Sequence, residues 1–323
     1  MRPVRNGAQA EATTFPASTG ARSIPPSKST HVTVGGSALI ETRIGSVNDY
    51  GVVWGGGCSD KVRGTTHVEL TGNARIGNDQ NGLVTIGGTM GGTVTPLGRS
   101  ADSRTYFGSV PFYYGADILN ENDALYAATA VVSGGHADVL TATHKRTPKV
   151  ENTTSVHGSI QLMQTGGFLQ TIEAGGRSDK KVAIMPSADR SPVDVVISGG
   201  TVSRYIMGRY PSNSSIGHAE LMFDACGGET SYIEVPNIIY FDSIAVKSAA
   251  YIAARPEFTH GPIKKTAFTE VGNLTIEQGG FLALLDNASI GGDLKLDGSL
   301  HLVKTGFLAP KPRTLTAAGK AAG

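Results

Sequence analysis

Two cysteines in 323 residues, Cys58 and Cys226, leave this chain without a disulfide framework, and no Cys-x-x-Cys pair exists for zinc or redox chemistry. Both are read as small apolar residues. Charge is scarce too, at 17% of residues against the usual quarter, with a formal net charge of +1. That balance, without any long Lys/Arg run, sets up no field for an anionic partner, so nucleic acid is not an expected partner. No stretch approaches about 18 consecutive apolar residues, which excludes a transmembrane helix. The opening "MRPVRNGAQAEATTFPASTGARSIPPSKST" lacks the apolar core of a secretory signal. Its Ala, Ser, Thr and Pro predict a flexible leader over residues 1–30, and a flexible tail is expected over 307–323.

What the chain has instead is glycine, 43 residues, roughly twice the ~7% average usage. There is no Gly-X-Y period, so this is not collagen. Apolar residues make up 39% and fall into short alternating runs: "HVTV" at His31, "HVEL" at His67, "LVTI" at Leu83, "SIQL" at Ser159, "NLTI" at Asn273 and "DLKLDGSLHL" from Asp293. Period-2 alternation bounded by glycine is the signal of half-buried strands. The runs also overlay: "VTVGGSALIETRIG", "VELTGNARIG", "IQLMQTGGFLQTIEAGG", "VVISGGTVSRYIMG" and "LTIEQGGFLALLDNASIGG". Each is strand, glycine, strand, glycine, recurring at roughly 25 to 37 residues where it is clearest.

Glycine inside a strand pattern marks a corner, where φ is positive or a Cβ has no room. The expected fold is therefore all-β, a parallel right-handed β-solenoid (β-helix) over residues 31–306 with irregular rungs and loop insertions. A β-sandwich is the alternative, but it needs hairpin turns between most strands, and only fragments such as Asn81-Gly82 and Asp297-Gly298 qualify. In a solenoid the two cysteines lie several rungs apart, at about 4.8 Å per rung and beyond disulfide reach. Two stretches break the pattern. "GADILNENDALYAATAVV", Gly115 to Val132, reads as a short helix or a plain insertion. "SYIEVPNIIYFDSIAVKSAAYIAA" from Ser231 reads as buried strand, with Pro236 dividing two strands or marking an edge.

"YGVVWGGGCSDKVRGTTHVELTGNARIG", Tyr50 to Gly77, resembles the repeat units of large cell-surface β-solenoid proteins of Gram-positive, often gut-dwelling, bacteria. "VDVVISGGTVSRYIMG" is similar to the second half of that unit. "VGNLTIEQGGFLALLDNASIGGDLKLDGSLHLVKTG" from Val271 resembles their final rungs and the passenger segments of Gram-negative autotransporters. The likeness covers about His31 to Gly306 and is one of glycine corners rather than of a catalytic signature. "VWGGG" occurs once, "YIMGRY" stands where a glycine triplet is expected near Tyr205, and no LPxTG-type anchor follows. The resemblance implies an extracellular surface protein whose signal and anchor lie outside this chain.

Candidate chemistry centres on His-apolar-acid triplets: His67-Val68-Glu69, His136-Ala137-Asp138 and His218-Ala219-Glu220. Residues i and i+2 of a strand share a face, so each triplet sets an imidazole beside a carboxylate. His67 with Glu69 and His218 with Glu220 are candidate metal ligands; the plainer reading makes them outward polar positions around core-facing Val68 and Ala219. Their zinc-deaminase look fails for want of Pro-Cys-x-x-Cys. Asp194, Asp224, Glu229 and Asp242 are the acids a polysaccharide-cleaving β-helix would need, yet no "NTD", "DD" or "GHG" set accompanies them. The Gly55-Gly56-Gly57 cluster precedes no Gly-Lys-Ser/Thr, so it is a corner and not a phosphate cradle.

Tyr50, Trp54, Tyr106, Phe107, Phe112, Tyr113 and Tyr114 are candidates for a sugar-binding stripe, with packing the plainer reading of them all; Tyr106, Phe107, Phe112, Tyr113 and Tyr114 cluster in the longest insertion and are the candidate ligand-binding residues. No catalytic residues and no cofactor are assigned. The expected function is a non-catalytic extracellular module, adhesin-like, presenting loops to glycans or to host and neighbouring surfaces. A polysaccharide lyase or glycoside hydrolase on the same scaffold is one alternative, and a phage tail-spike-like structural protein another.

Overall fold

A computed structural model of the chain describes residues 29–40, 43–44, 48–49, 52–54, 62–76, 106–108, 118–141, 154–174, 182–186, 191–209, 218–225, 233–235, 237–252, 267–303 and 313–323. Among these residues every regular element is a strand and there is no helix. The protein is all-β with parallel sheets.

The longest ladder begins with β1 (Thr30–Val34), β6 (Thr66–Leu70) and β9 (Tyr126–Val132), followed by the first parts of β12 (Ser159–Glu173) and β14 (Val193–Met207). It continues through β15 (Ala219–Phe223), β18 (Ser243–Val246), β21 (Asn273–Ile276), β24 (Leu294–Leu296) and β27 (Ala321–Ala322). Each strand is hydrogen-bonded in parallel to the one before it. Between visits the chain travels as few as 20 residues, from Asn273 to Asp293, or as many as 62, from His67 to Thr129. Parallel neighbours require such crossovers, since a tight turn cannot join them.

A second ladder runs through β2 (Leu39–Ile40), β7 (Arg75–Ile76), β10 (His136–Thr141) and the far halves of β12 and β14. The ends of those three strands stack further with β5 (Val52–Trp54) and β8 (Tyr106–Gly108) before them and β17 (Asn237–Ile239) and β20 (Phe268–Thr269) after them. A separate parallel sheet joins β16 (Ile233–Val235), β19 (Ala249–Ile252), β22 (Phe281–Leu284) and β25 (Ser299–Leu302). β11 (Thr154–His157) pairs with β13 (Val182–Met185), and β23 (Ala288–Ile290) with β26 (Leu315–Ala317), both in parallel. Among the described residues one pair is antiparallel, β3 (Arg43–Ile44) with β4 (Asn48–Asp49). A sandwich of hairpin-linked strands is therefore not the architecture described.

Register turns alternation into a core. Val68, Ala130, Leu162, Val195, Leu221, Ile244 and Leu274 lie opposite one another along the long ladder, and all are buried. Two residues on, Leu70, Val132, Ile197, Phe223, Val246 and Ile276 repeat the line. Gln164 is the polar exception in that line, fully buried between Val132 and Ile197. Its Nε2 donates to the Thr201 carbonyl at 3.1 Å, while Oε1 has no partner, a cost of about 1–3 kcal/mol.

The corners are not breaks. β12 and β14 each run for 15 residues straight through Gly166-Gly167 and Gly199-Gly200, with register shifts on either side of Thr165 absorbing the bend. Corner glycines stack on corner glycines: Gly72 lies against Gly36, Gly134 against Gly72, and Gly167 against Gly134. Gly167 has φ of 68°, and a Cβ there would sit 2.5 Å from the Gly134 carbonyl oxygen.

Two expectations are corrected. The Ala-rich stretch ending at Val132 is strand β9 and not helix, because Ala127, Ala128 and Ala130 fill tight buried positions between β6 and β12. Small side chains suit that packing, and tertiary pairing overrides alanine's helix propensity. Strand structure also continues past residue 306, since β26 and β27 pair with β23 and β24. Leu315, Thr316, Ala317, Ala321 and Ala322 are small or apolar enough to extend the stack, although few charges or large residues announce them. Among the described residues the first strand begins at Thr30. Strands end at Val235 and resume at Asn237, on the two sides of Pro236 as the sequence suggests.

Two glycines separate clash from backbone strain. Gly279 also has a positive φ, 85°, but nothing lies within 4 Å of the Cβ position. Gly167→Ala is expected to lower unfolding free energy by about 3 kcal/mol and Gly279→Ala by about 1 kcal/mol. Urea titrations with unchanged m-values check both, and equal losses would refute the stacked-corner account.

Candidate functional site

Alternation that buries one face of the long ladder presents a row of polar side chains on the other. In register this outward row reads His31, His67, Thr129, Gln161, Asp194, Glu220, Ser243 and Asn273. His67 and Glu69 flank fully buried Val68, and exposed His218 and Glu220 flank fully buried Ala219. The third triplet departs from the others, because His136 stacks on Phe168 of the next strand, centroids 4.7 Å apart and planes within 10°.

At the start of the row β1 and β6 set His31 beside His67, with ring centroids 4.5 Å apart and planes tilted by 54°. Glu69, two residues along β6, shares their face, and the donor atoms of all three lie within 4.8 Å of one another. Thr129 Oγ1, on β9, is 2.6 Å from His67 Nδ1, and Thr33 Oγ1 is 3.1 Å from His31 Nε2. Partial loss of hydration, and then the His31 imidazole, push the His67 pKa below its ordinary value; Glu69 pulls the other way. His31 is absent from the sequence-level candidates because its partner is 36 residues distant; only register makes them neighbours.

Midway along, acids gather. Asp194 on β14 lies opposite Glu220 on β15, and its Oδ2 accepts a hydrogen bond from the Tyr126 hydroxyl at 2.8 Å. Asp242, just before β18, is a junction: Oδ2 accepts from the Ala219 amide at 2.9 Å, while Oδ1 is 3.2 Å from Arg209 Nη2 and 3.8 Å from His218 Nδ1. His218 thus has Asp242 as a neighbour as well as Glu220. Lost hydration and then the Asp194 carboxylate raise the Glu220 carboxyl above its ordinary value; His218 opposes this and Asp242 adds to it. Asp194 and Asp242, two of the acids singled out in the sequence, are brought to this place. Asp224 lies beyond the far end of β15, and Glu229 falls outside the described residues.

Of the aromatic candidates, Tyr106 and Phe107 lie on β8, while Phe112, Tyr113 and Tyr114 lie outside the described residues, as do Tyr50, Cys58 and Cys226. Phe107 is in register with fully buried Leu140, and through it with Ile172 and Ile206, which are also fully buried. Tyr106 is in register with Val139, and beyond it with buried Thr171 and Tyr205. A different aromatic stripe went unread. Tyr251 on β19 and His301 on β25 share a register line through Ala283, and Phe281 of β22, two residues to one side, packs against both, with centroids 5.7 and 4.7 Å apart. The signal for it exists, an aromatic recurring at outward positions of successive repeats, but it needs the register to be known.

No family model, no curated protein and no solved structure matches this chain.

A carboxyl with a raised pKa binds its proton more tightly folded than unfolded, so its contribution to stability falls as pH climbs from about 4.5 through the folded value and is flat above. Glu220→Gln removes that loss. Its melting temperature is expected to exceed wild type by about 1 °C at pH 7, small because the group is exposed, with no difference at pH 3. Calorimetry at the two pH values checks this, and a variant less stable at pH 7 would show that Glu220 is favourably paired.

Proposed function

We propose that the described strands belong to one right-handed parallel β-solenoid that acts as a non-catalytic, extracellular bacterial surface module presenting its outward faces and loops to glycans or neighbouring surfaces. One observation carries this reading: a parallel ladder in which the inward lines are predominantly apolar, Gln164 being an exception, while the outward lines change from strand to strand. A scaffold of this kind holds recognition groups at fixed spacing, and its right hand follows the general preference of parallel crossovers. Half-exposed Tyr251 and Phe281, with exposed His301, offer stacked faces of the sort sugar rings pack against.

A second reading, a polysaccharide hydrolase or lyase, rests on the Asp194–Glu220 pair. Two carboxyls on adjacent strands, one of them raised above its ordinary pKa by lost hydration and by its neighbour, form the kind of pairing that acid-base cleavage of a glycosidic bond employs. The outward position of the pair on a rigid sheet would suit a long polymer.

Incubating the whole chain with a panel of glycans separates the two. The scaffold reading expects saturable retention without product, an elongated solution-scattering profile, and about 5-fold weaker retention for Phe281→Ala at unchanged thermal stability. Sustained release of reducing ends, abolished by Glu220→Gln, would reject it in favour of the enzyme. A compact globular scattering profile would reject the rod.

A further inference from the structure

We propose that His31, His67 and Glu69 form a binding site for a divalent transition-metal ion of the zinc class. The site does not depend on the glycan or surface reading. Its three donors come from two strands whose relative position is set by a five-residue parallel register, Thr30 to Val34 against Thr66 to Leu70. Backbone hydrogen bonding therefore holds the two imidazoles on adjacent strands before any ion arrives. Glu69, at i+2 from His67, completes the face, since residues two apart on a strand point the same way.

Distances suit small side-chain adjustments. Ligands at about 2.0–2.1 Å from a tetrahedral ion stand roughly 3.3 Å from one another, and the three donor atoms already lie within 4.8 Å. Among the described residues no other trio of His, Cys, Asp and Glu draws its donor atoms this close. Two imidazoles and one carboxylate favour zinc, copper, nickel or cobalt, whereas calcium takes six to eight oxygens.

A supporting contact resembles that of metal-binding histidines generally, which hold their second ring nitrogen on a neighbouring polar group. Thr129 Oγ1 engages His67 Nδ1 at 2.6 Å, leaving Nε2 for the ion. Exposed His31 and half-buried His67 and Glu69 keep the site open to solvent, so a fourth position falls to water or to a donor from outside the chain.

Zn²⁺ titrated calorimetrically into the whole chain tests the proposal, with Co²⁺ as a visible-absorption probe of coordination. One saturable Zn²⁺ site is expected whose affinity drops at least 10-fold in His31→Ala and in His67→Gln, and several-fold in Glu69→Gln. His157→Ala, at an exposed histidine of β11, should bind as wild type does. Ca²⁺ should give no saturable signal at the same concentrations. Zn²⁺ should also raise the melting temperature of wild type but not of His31→Ala. Because His31 is exposed, that variant remains informative even if His67→Gln fails to fold. Absence of saturable Zn²⁺ binding, or binding whose affinity survives His31→Ala, would overturn the assignment.

Discussion

The backbone of each ladder strand satisfies its hydrogen-bonding groups on the strand before and the strand after, in parallel and in register. An unpaired buried amide or carbonyl costs as much as a lost hydrogen bond, so the register is strongly held. A slip of one residue would turn Val68, Leu162, Val195 and Leu221 outward together and bring His67, Gln161, Asp194 and Glu220 into the core. The apolar lines, the stacked glycine corners and the outward polar row are three results of this one constraint. Even Gln164 obeys it: it keeps its place in an aliphatic line and satisfies one end of its amide at the corner, on Thr201.

Register also decides what a site can be made of. Residues far apart in the chain become neighbours when they share a line, as His31 and His67 do, or Asp194 and Glu220. The Tyr251, Phe281 and His301 stripe is built the same way, with Phe281 two residues from the line that Tyr251 and His301 share. Return lengths of 20 and 62 residues coexist in one ladder, because pairing fixes which residues meet and not how far the chain travels between visits. Change at an outward position is cheap, whereas change at an inward one leaves a cavity flanked by two unaltered neighbours.

Strand positions were legible because alternation is a local property: "HVTV", "HVEL", "SIQL" and "NLTI" are all strands. The outward placing of His67, Glu69, His218 and Glu220 followed from the same period. What could not be read was which strand lies beside which, since a parallel crossover of variable length leaves no mark of register. His31 was thus separated from His67, and Glu220 from Asp194. Small residues hid other elements. Alanine packs closely in β9 and is exposed in β27, and in both it carries little periodic contrast; at the corners of β12 and β14 glycine marks a bend without saying whether pairing continues through it.

Hydrogen bonds in such a ladder point from strand to strand, and so along the direction in which strands accumulate. Tension between the β1 and β27 ends would pull each bond along its own length, and strand pairs would part in succession from an end instead of resisting together in shear. Each parting would free the chain held between two visits. Unequal returns would then become unequal steps of extension, and the 62 residues from His67 to Thr129 would lengthen fully only after the pairings of β7 and β8 had parted as well.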